Sequence, residues 1–181
     1  MVRVSVSDFA GLSAAQLRLE EAKHLFELFE AAQDAEPNYG LFLLTTYFDS
    51  LLFCLVSIEE MVDAQTKYKL NSLGSFKFFK ALRNIATHHS VLSGVQGKFD
   101  RPIARIVSVV GSSKDTPSEQ FYVMPDKLES IFASILRLRK QEEPTIDAAR
   151  AFLQVLKSRG ERILVADLIR SVIADVETRL K

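Results

Sequence analysis

The chain has 181 residues, of which 48% are hydrophobic, and its 23 basic and 23 acidic side chains give a formal net charge of zero. This length and apolar content suffice for a folded core and exclude a disordered or low-complexity chain. Zero net charge argues against a protein that coats nucleic acid through bulk electrostatics, and the single cysteine, Cys54, excludes a disulfide framework.

The charges are unevenly distributed along the chain. Residues 8–63 carry eleven acidic and two basic side chains, whereas residues 64–105 carry eight basic side chains and one acidic, Asp100. The chain is therefore neutral only on average. In one reading of this pattern, the acidic half of one copy docks on the basic segment of a neighbour in a purely structural oligomer, whose assembly would depend strongly on salt.

Two helices are predicted in the first third of the chain. The first follows Ser13, which can serve as its N-cap, and continues to Asp34. The second extends from about Leu41 to Asp63 and is apolar almost all round, which is typical of a central bundle helix. Its polar positions fit a buried helix better than a membrane span, and Cys54 is expected to pack in the core.

A third helix is predicted from Ser75, as its N-cap, to about Ser90. At about 100° per residue, one face is apolar and the opposite arc is polar. The apolar face holds Phe78, Phe79, Leu82, Ile85 and Ala86. The polar arc holds Lys77, Lys80, Arg83, Asn84, Thr87 and His88, while His89 falls back on the apolar side.

The remainder of the chain reads as a small hairpin followed by three helices. Two β-like runs flank a polar connector within about 103–124. The helices are predicted at 125–140, 144–160 and 163–180. The predicted fold is therefore an all-α bundle in a single domain, 1–181, with a core of about 13–140 and a C-terminal helical extension of about 144–181 whose purpose is unassigned.

The polar arc of the third helix carries residue types that suit metal-free cleavage of RNA. Asn84 and His88 are four residues apart and are neighbours on the helix surface, and the long side chain of Arg83 can reach the same patch. An imidazole that titrates near neutrality beside a guanidinium that grips phosphate is the minimum equipment for intramolecular transesterification.

The run Phe79-Lys-Ala-Leu-Arg83-Asn84-Ile-Ala-Thr-His88 resembles the Arg-Asn-x-x-x-His motif of HEPN domains. The resemblance implies an all-α bundle and a metal-independent endoribonuclease of a toxin–antitoxin, abortive-infection or other defence system. It further implies a homodimer in which two motif copies form one site. No cofactor, no metal and no membrane are expected, and the expected location is cytoplasmic.

The resemblance also assigns roles to the motif residues. It makes His88 the general acid/base at the ribose 2′-hydroxyl or leaving oxygen, Arg83 the stabiliser of the phosphorane charge, and Asn84 the residue that orients both. His89 is the fallback base, because the family tolerates a longer Arg-to-His spacing. Weaker candidates for RNA contacts share the same helix. They are Lys77, Lys80, Thr87 and His89.

Other polar residues are given ordinary structural roles. Glu59 and Glu60 are expected at a solvated helix end, with a salt bridge to Arg83 as the alternative, and Tyr47 and Asp49 are weak candidates for a supporting shell. His24 lacks ligand-spaced neighbours, so a metal site is not expected there. The spacing of Phe76, Phe78 and Phe79 predicts core packing rather than base stacking.

An alternative function uses the same fold without catalysis. Here the domain is an RNA- or protein-binding or dimerisation module whose polar face contacts an antitoxin or a nucleotidyltransferase partner. This alternative predicts no RNA cleavage and an unperturbed complex after His88→Ala.

Overall fold

The structure is a computed structural model that describes residues 10–34, 37–89, 104–109, 118–123, 125–138, 143–159 and 163–181. Within these ranges the chain forms seven α-helices and three short strands. The helices are α1 (Ala14–Ala31), α2 (Pro37–Ser57), α3 (Ala64–Ser72), α4 (Gly74–His89), α5 (Pro125–Leu138), α6 (Glu143–Arg159) and α7 (Val165–Leu180). The strands are β1 (Ala104–Val109), β2 (Ser118–Val123) and β3 (Ile163–Leu164).

Helix α1 begins with a capping box, which confirms Ser13 as its N-cap. The Ser13 hydroxyl accepts a hydrogen bond from the Gln16 backbone N–H at 3.3 Å, and the Gln16 Oε1 accepts one from the Ser13 N–H at 2.8 Å. Two N–H groups that the helix leaves unbonded are thereby satisfied. The α-helix ends at Ala31, and a 3-10 turn continues to Asp34, where the sequence predicted the end.

Helix α2 begins at Pro37, four residues before the predicted start. Proline suits this first position because its missing N–H would be unbonded there in any case. The helix ends at Ser57, and a 3-10 turn, Ile58–Glu60, follows it. The predicted end at Asp63 was therefore wrong.

Asp63 is the N-cap of a separate helix, α3, which the sequence analysis did not predict. Its Oδ1 accepts hydrogen bonds from the backbone N–H groups of Gln65, at 2.8 Å, and Thr66, at 3.0 Å. This capping pattern was readable in the sequence. The mostly polar residues of α3 lack the apolar periodicity on which helix prediction depends.

Helix α4 begins at Gly74, and Ser75 is not its N-cap. Ser75 is buried, and its hydroxyl donates a hydrogen bond to Asp175 Oδ2 on α7 at 2.8 Å. At Gly74 an added Cβ would lie 3.2 Å from Phe152 Cδ2 on α6, which is closer than most such contacts. The start of α4 is therefore positioned by tertiary contacts with α6 and α7.

The core is rich in phenylalanine and joins α2, α4 and α6. The ring centroids of Phe48 and Phe79 are 6.5 Å apart, and those of Phe78 and Phe152 are 5.4 Å apart, both distances typical of favourable aromatic pairs. The predicted apolar face of α4 is confirmed, with Ala86 at its partly buried edge. The buried α4 residues are Phe76, Phe78, Phe79, Ala81, Leu82 and Ile85.

A small antiparallel sheet accompanies the helices. Strands β1 and β2 pair from Ala104 with Val123 to Val109 with Ser118, in the region where a hairpin was predicted. Strand β3 pairs Ile163 with Val123 on the other edge of β2. The last helix therefore begins at Val165, not at Ile163 as predicted. The chain is predominantly helical. Strands β1 and β2 lie between α4 and α5 in the sequence, and β3 lies between α6 and α7.

Helices α6 and α7 contribute directly to the core. Besides the Phe152 contact, six residues of α7 are buried, namely Val165, Leu168, Ile169, Val172, Ile173 and Val176. Two ion pairs join α7 to α1: Lys23 with Glu177 at 3.2 Å, and Arg170 with Glu30 at 2.7 Å. The guanidinium carbon of Arg170 also lies 5.4 Å from the centre of the Phe26 ring.

The segment Phe42–Glu60 is long and apolar enough to cross a membrane by those two criteria, and 44% of the window is buried inside the protein. A helix at the centre of a bundle has the same length and composition. The completely buried leucines of α2 are Leu44, Leu51, Leu52 and Leu55.

Candidate functional site

The candidate motif occupies the second half of α4. Arg83 and Asn84 are half-buried, as are Lys77 and Lys80 on the same polar arc. The backbone of His88 belongs to the last turn of α4. The side chains of Thr87, His88 and His89 lie outside the described part of the chain, so the structure gives no contact for them.

Helix geometry separates Arg83 from His88 around the axis of α4. At about 100° per residue, Asn84 and His88 differ by about 40° around the axis, whereas Arg83 and His88 differ by about 140°. Arg83 follows buried Phe79 by one turn, and its Nε is buried. The arginine therefore lies at the border of the core face.

The Glu59 carboxylate is buried between three elements. It is 3% exposed, and its Oε1 lies 2.6 Å from Lys80 Nζ on α4. Its Oε2 accepts hydrogen bonds from Lys80 Nζ at 2.8 Å and from Asn71 Nδ2 on α3 at 2.9 Å. The expectation of a solvated helix end was wrong for Glu59, because α3 folds back over it.

Burial alone would raise the pKa of Glu59, but hydrogen bonds from Lys80 and Asn71, together with the positive charges of Lys80 and Lys67, lower it. The side chain is therefore ionised and paired. The same pairing concerns Lys80, which the sequence analysis predicted as a weak candidate for an RNA contact. Its ammonium group is held by Glu59, and its side chain is only 24% exposed.

Glu60 behaves as the sequence predicted for a solvated helix end. Its exposed carboxylate lies 2.9 Å from Lys67 Nζ on α3. The two adjacent acids thus bind two different lysines, one in the interior and one at the surface. Both lysines come from the basic segment 64–105, so acidic and basic halves of the sequence meet within one chain.

Asp49 is a half-buried acid in the middle of α2. Its Oδ1 is buried and has no hydrogen-bond partner within the described residues. Burial raises the pKa of Asp49 to about 6. Tyr47, two residues before Asp49, is half-buried and packs against the core.

The remaining reactive side chains have structural surroundings. Cys54 packs against the core, with its Sγ 4.0 Å from Arg18 Nη1 and 3.9 Å from Glu21 Oε2, and burial raises the pKa of its thiol. His24 is exposed, 3.6 Å from Glu27. Among the described residues, no group of three or more His, Cys, Asp or Glu could hold a metal ion.

A cleft of about 470 Å³ lies at the other end of α4. Its lining combines Ser75 with Asp167, Ser171 and Asp175 of α7 and with apolar residues such as Phe152. Gly74, at its edge, is separated from His88 by about 21 Å along the helix axis, at 1.5 Å per residue. The cleft is therefore distinct from the motif.

Comparison of the chain with protein-family models, with curated proteins and with solved structures finds no match.

Proposed function

We propose that the protein is a metal-independent endoribonuclease of HEPN type that acts as a homodimer. The observation that carries the proposal is the motif Arg83-Asn84-x-x-x-His88 in the second half of an amphipathic helix whose other face is core. A toxin or defence effector in the cytoplasm is the biological role that fits such an activity.

The proposed chemistry uses the three residues in separate roles. His88 takes the proton of the ribose 2′-hydroxyl or gives one to the leaving oxygen. Arg83 offsets the charge that develops on the phosphorane, and Asn84 orients the reacting groups. The 2′-oxygen attacks the adjacent phosphorus, the bond to the 5′-oxygen breaks, and the product is a 2′,3′-cyclic phosphate.

The angular separation within α4 supports a composite site. Because Arg83 and His88 diverge by about 140° on one helix, a second copy could bring its own His88 close to Arg83 more readily than one copy brings its two groups together. His89 is the alternative base, because the family that the motif resembles tolerates a longer Arg-to-His spacing.

The direct test incubates wild type, Arg83→Ala and His88→Ala with total cellular RNA in EDTA and determines the end groups of the products. His88→Ala should lower the cleavage rate by about 100- to 10,000-fold, the range for loss of an acid/base group. Arg83→Ala should lower it by about 100- to 1,000-fold, the range for loss of one contact that stabilises developing charge. His24→Ala is the matched control, because that histidine is exposed on α1. Intact RNA with wild type at every concentration would refute the enzymatic proposal.

A complementation experiment tests the composite site. If Arg83 and His88 of different copies form one site, mixed Arg83→Ala and His88→Ala proteins should regain part of the activity that each lacks alone. Mixtures that stay inactive, although exchange of subunits is verified, would place both residues of a working site in the same copy.

A second candidate function is the non-catalytic module that binds an antitoxin or a nucleotidyltransferase. The pairing of Lys80 with Glu59 favours it, because this pair reduces the positive charge of the polar arc that RNA would need. Under this alternative His88→Ala leaves the complex intact, and the wild type does not cleave RNA.

A further inference from the structure

Helix α3 presents an aromatic ring and a lysine to solvent. Tyr68 is 78% exposed, more than any other large hydrophobic side chain in the described part of the chain, and Lys69 beside it is also exposed. Helix α3 is anchored by Leu70, which is buried on the side opposite Tyr68, and by the contacts of Lys67 and Asn71 with the Glu60 and Glu59 carboxylates. The ring therefore projects from a firmly held helix.

After Asp63, the N-cap of α3, the sequence carries only positive charges to the end of α4. Residues 64–89 contain five Lys and Arg side chains and no Asp or Glu. Two of the five, Lys67 and Lys80, are paired with Glu60 and Glu59. Lys69 and Lys77 form no ion pair with any described residue, and Lys69 is exposed.

We propose that Tyr68 and Lys69 form a binding surface for single-stranded RNA, in which the Tyr68 ring stacks on a base and Lys69 binds the adjacent phosphate. Aromatic side chains with nearby cations bind single strands in this way, with little preference for sequence. A duplex hides its base faces, so it should bind less well. The inference rests on the proposed function, because it supplies the substrate class of the same protein.

The neighbours of Tyr68 favour RNA over a protein partner. A protein interface of useful strength surrounds its aromatic anchor with other apolar side chains and is depleted in lysine. The exposed residues around Tyr68 on α3 are instead Ala64, Gln65, Lys69 and Ser72. Apart from the ring, the exposed surface of α3 is small and polar, and its exposed charged residues are Lys69 and the N-cap Asp63.

The chain contains no tryptophan, so Tyr68→Trp introduces a single indole at the proposed stacking position. This substitution is combined with His88→Ala to prevent cleavage, and the protein is titrated in EDTA with a uridine 12-mer, with an RNA duplex of equal length and with inorganic polyphosphate. The single strand should quench the indole fluorescence. Polyphosphate should not, because it carries charge without a base, and the duplex should bind more weakly.

Substitutions separate stacking from charge in the same His88→Ala background. Tyr68→Ala should weaken binding of the 12-mer by roughly tenfold, whereas Tyr68→Phe should retain it. Lys69→Gln should lower the slope of log affinity against log salt by about one. Phe42→Ala is the matched control, because Phe42 is 63% exposed but lies on α2, outside the basic segment.

Equal affinity of Tyr68→Ala and Tyr68→Phe for the 12-mer, or an indole that responds equally to polyphosphate, would overturn the surface assignment. So would a change in protein self-association after Tyr68→Ala without a change in RNA affinity, since that result identifies a protein contact. Single-strand binding that requires Tyr68, in a wild type that never cleaves RNA, would support the surface and refute only the proposed nuclease.

Discussion

Two acids, one in the middle of α2 and one in the 3-10 turn that follows it, have pKa values shifted in opposite directions. At Asp49, burial without a hydrogen-bond partner among the described residues raises the pKa to about 6. At Glu59, in the 3-10 turn after α2, burial is outweighed by Lys80 and Asn71, and the pKa is lowered. Partners brought by α3 and α4, rather than burial alone, therefore decide which carboxylate stabilises the fold.

The largest expected effect on stability comes from removing the Glu59 carboxylate, which is the interior partner of Lys80. Glu59→Gln removes the charge opposite Lys80, whose ammonium group is largely shielded from water, and should lower the free energy of unfolding by about 3 kcal/mol, near the lower limit for broken buried pairs. Urea unfolding at pH 7 measures the change. The additional substitution Lys80→Met should restore part of the loss, since no uncompensated charge remains.

The pH dependence gives a second test of the Glu59 pair. Because the pKa of Glu59 is lower in the folded protein, its contribution is fully present above the unfolded value of about 4.5 and is lost as the pH falls through the folded value. The difference between wild type and Glu59→Gln should therefore shrink in strong acid. A difference that stays constant from pH 7 to pH 3 would contradict the assignment.

Asp49→Asn should raise the free energy of unfolding, whereas Glu59→Gln lowers it. The pKa of Asp49 is raised from about 3.8 to about 6, so ionisation destabilises the folded protein as the pH rises through this window. Above pH 7 the substitution should stabilise the protein by roughly 2 kcal/mol, somewhat less than the shift converts to at 1.36 kcal/mol per pH unit. Urea unfolding at pH 4 and pH 8 distinguishes this effect from a pH-independent one.

A smaller effect is expected where a neutral donor holds a carboxylate. Ser75→Ala removes the buried hydroxyl that donates to Asp175 and should cost about 1 kcal/mol, the usual net value of a hydrogen bond. Thermal unfolding measures it. Ser171→Ala is the control on the exposed side of α7, and an equal cost for the two serines would show that the hydrogen bond is not the cause.

The smallest effect is expected at Glu60, the exposed neighbour of Glu59. Its pair with Lys67 lies at the surface, so Glu60→Gln should cost only about 0.5 kcal/mol, and 1 M salt should abolish the difference. Urea unfolding at low and high salt checks both statements. A cost equal to that of Glu59→Gln would show that the surface pair stabilises the fold as much as the interior pair does.

Much of the fold could be predicted from the sequence because it depends on neighbouring residues. The capping box at Ser13, the apolar face of α4 and the position of the hairpin follow from spacing and local hydrogen bonding. Three of the errors have a common cause. Ser75, Ile163 and Glu59 were given local roles, but each has its main partner on an element distant in the sequence.

The candidate site, like the fold, could be predicted from the sequence only in part. The positions of Arg83, Asn84 and His88 on one helix, and the angles between them, are consequences of helical periodicity that any reader of the sequence can obtain. The engagement of Lys80 could not be predicted, because Glu59 is 21 residues away along the chain and meets it only in the folded protein. The exposure of Tyr68 was missed together with α3 itself.

By itself, the sequence determined where most helices form, which face of α4 is buried, and that its motif residues share one helix, since these properties depend on contacts within a few residues. Only the tertiary structure decided which charges are paired, that α6 and α7 complete the core, and that Asp49 and Glu59 differ in pKa. The physical reason is that desolvation and ion pairing depend on every element packed around a side chain, and those elements come from distant parts of the chain.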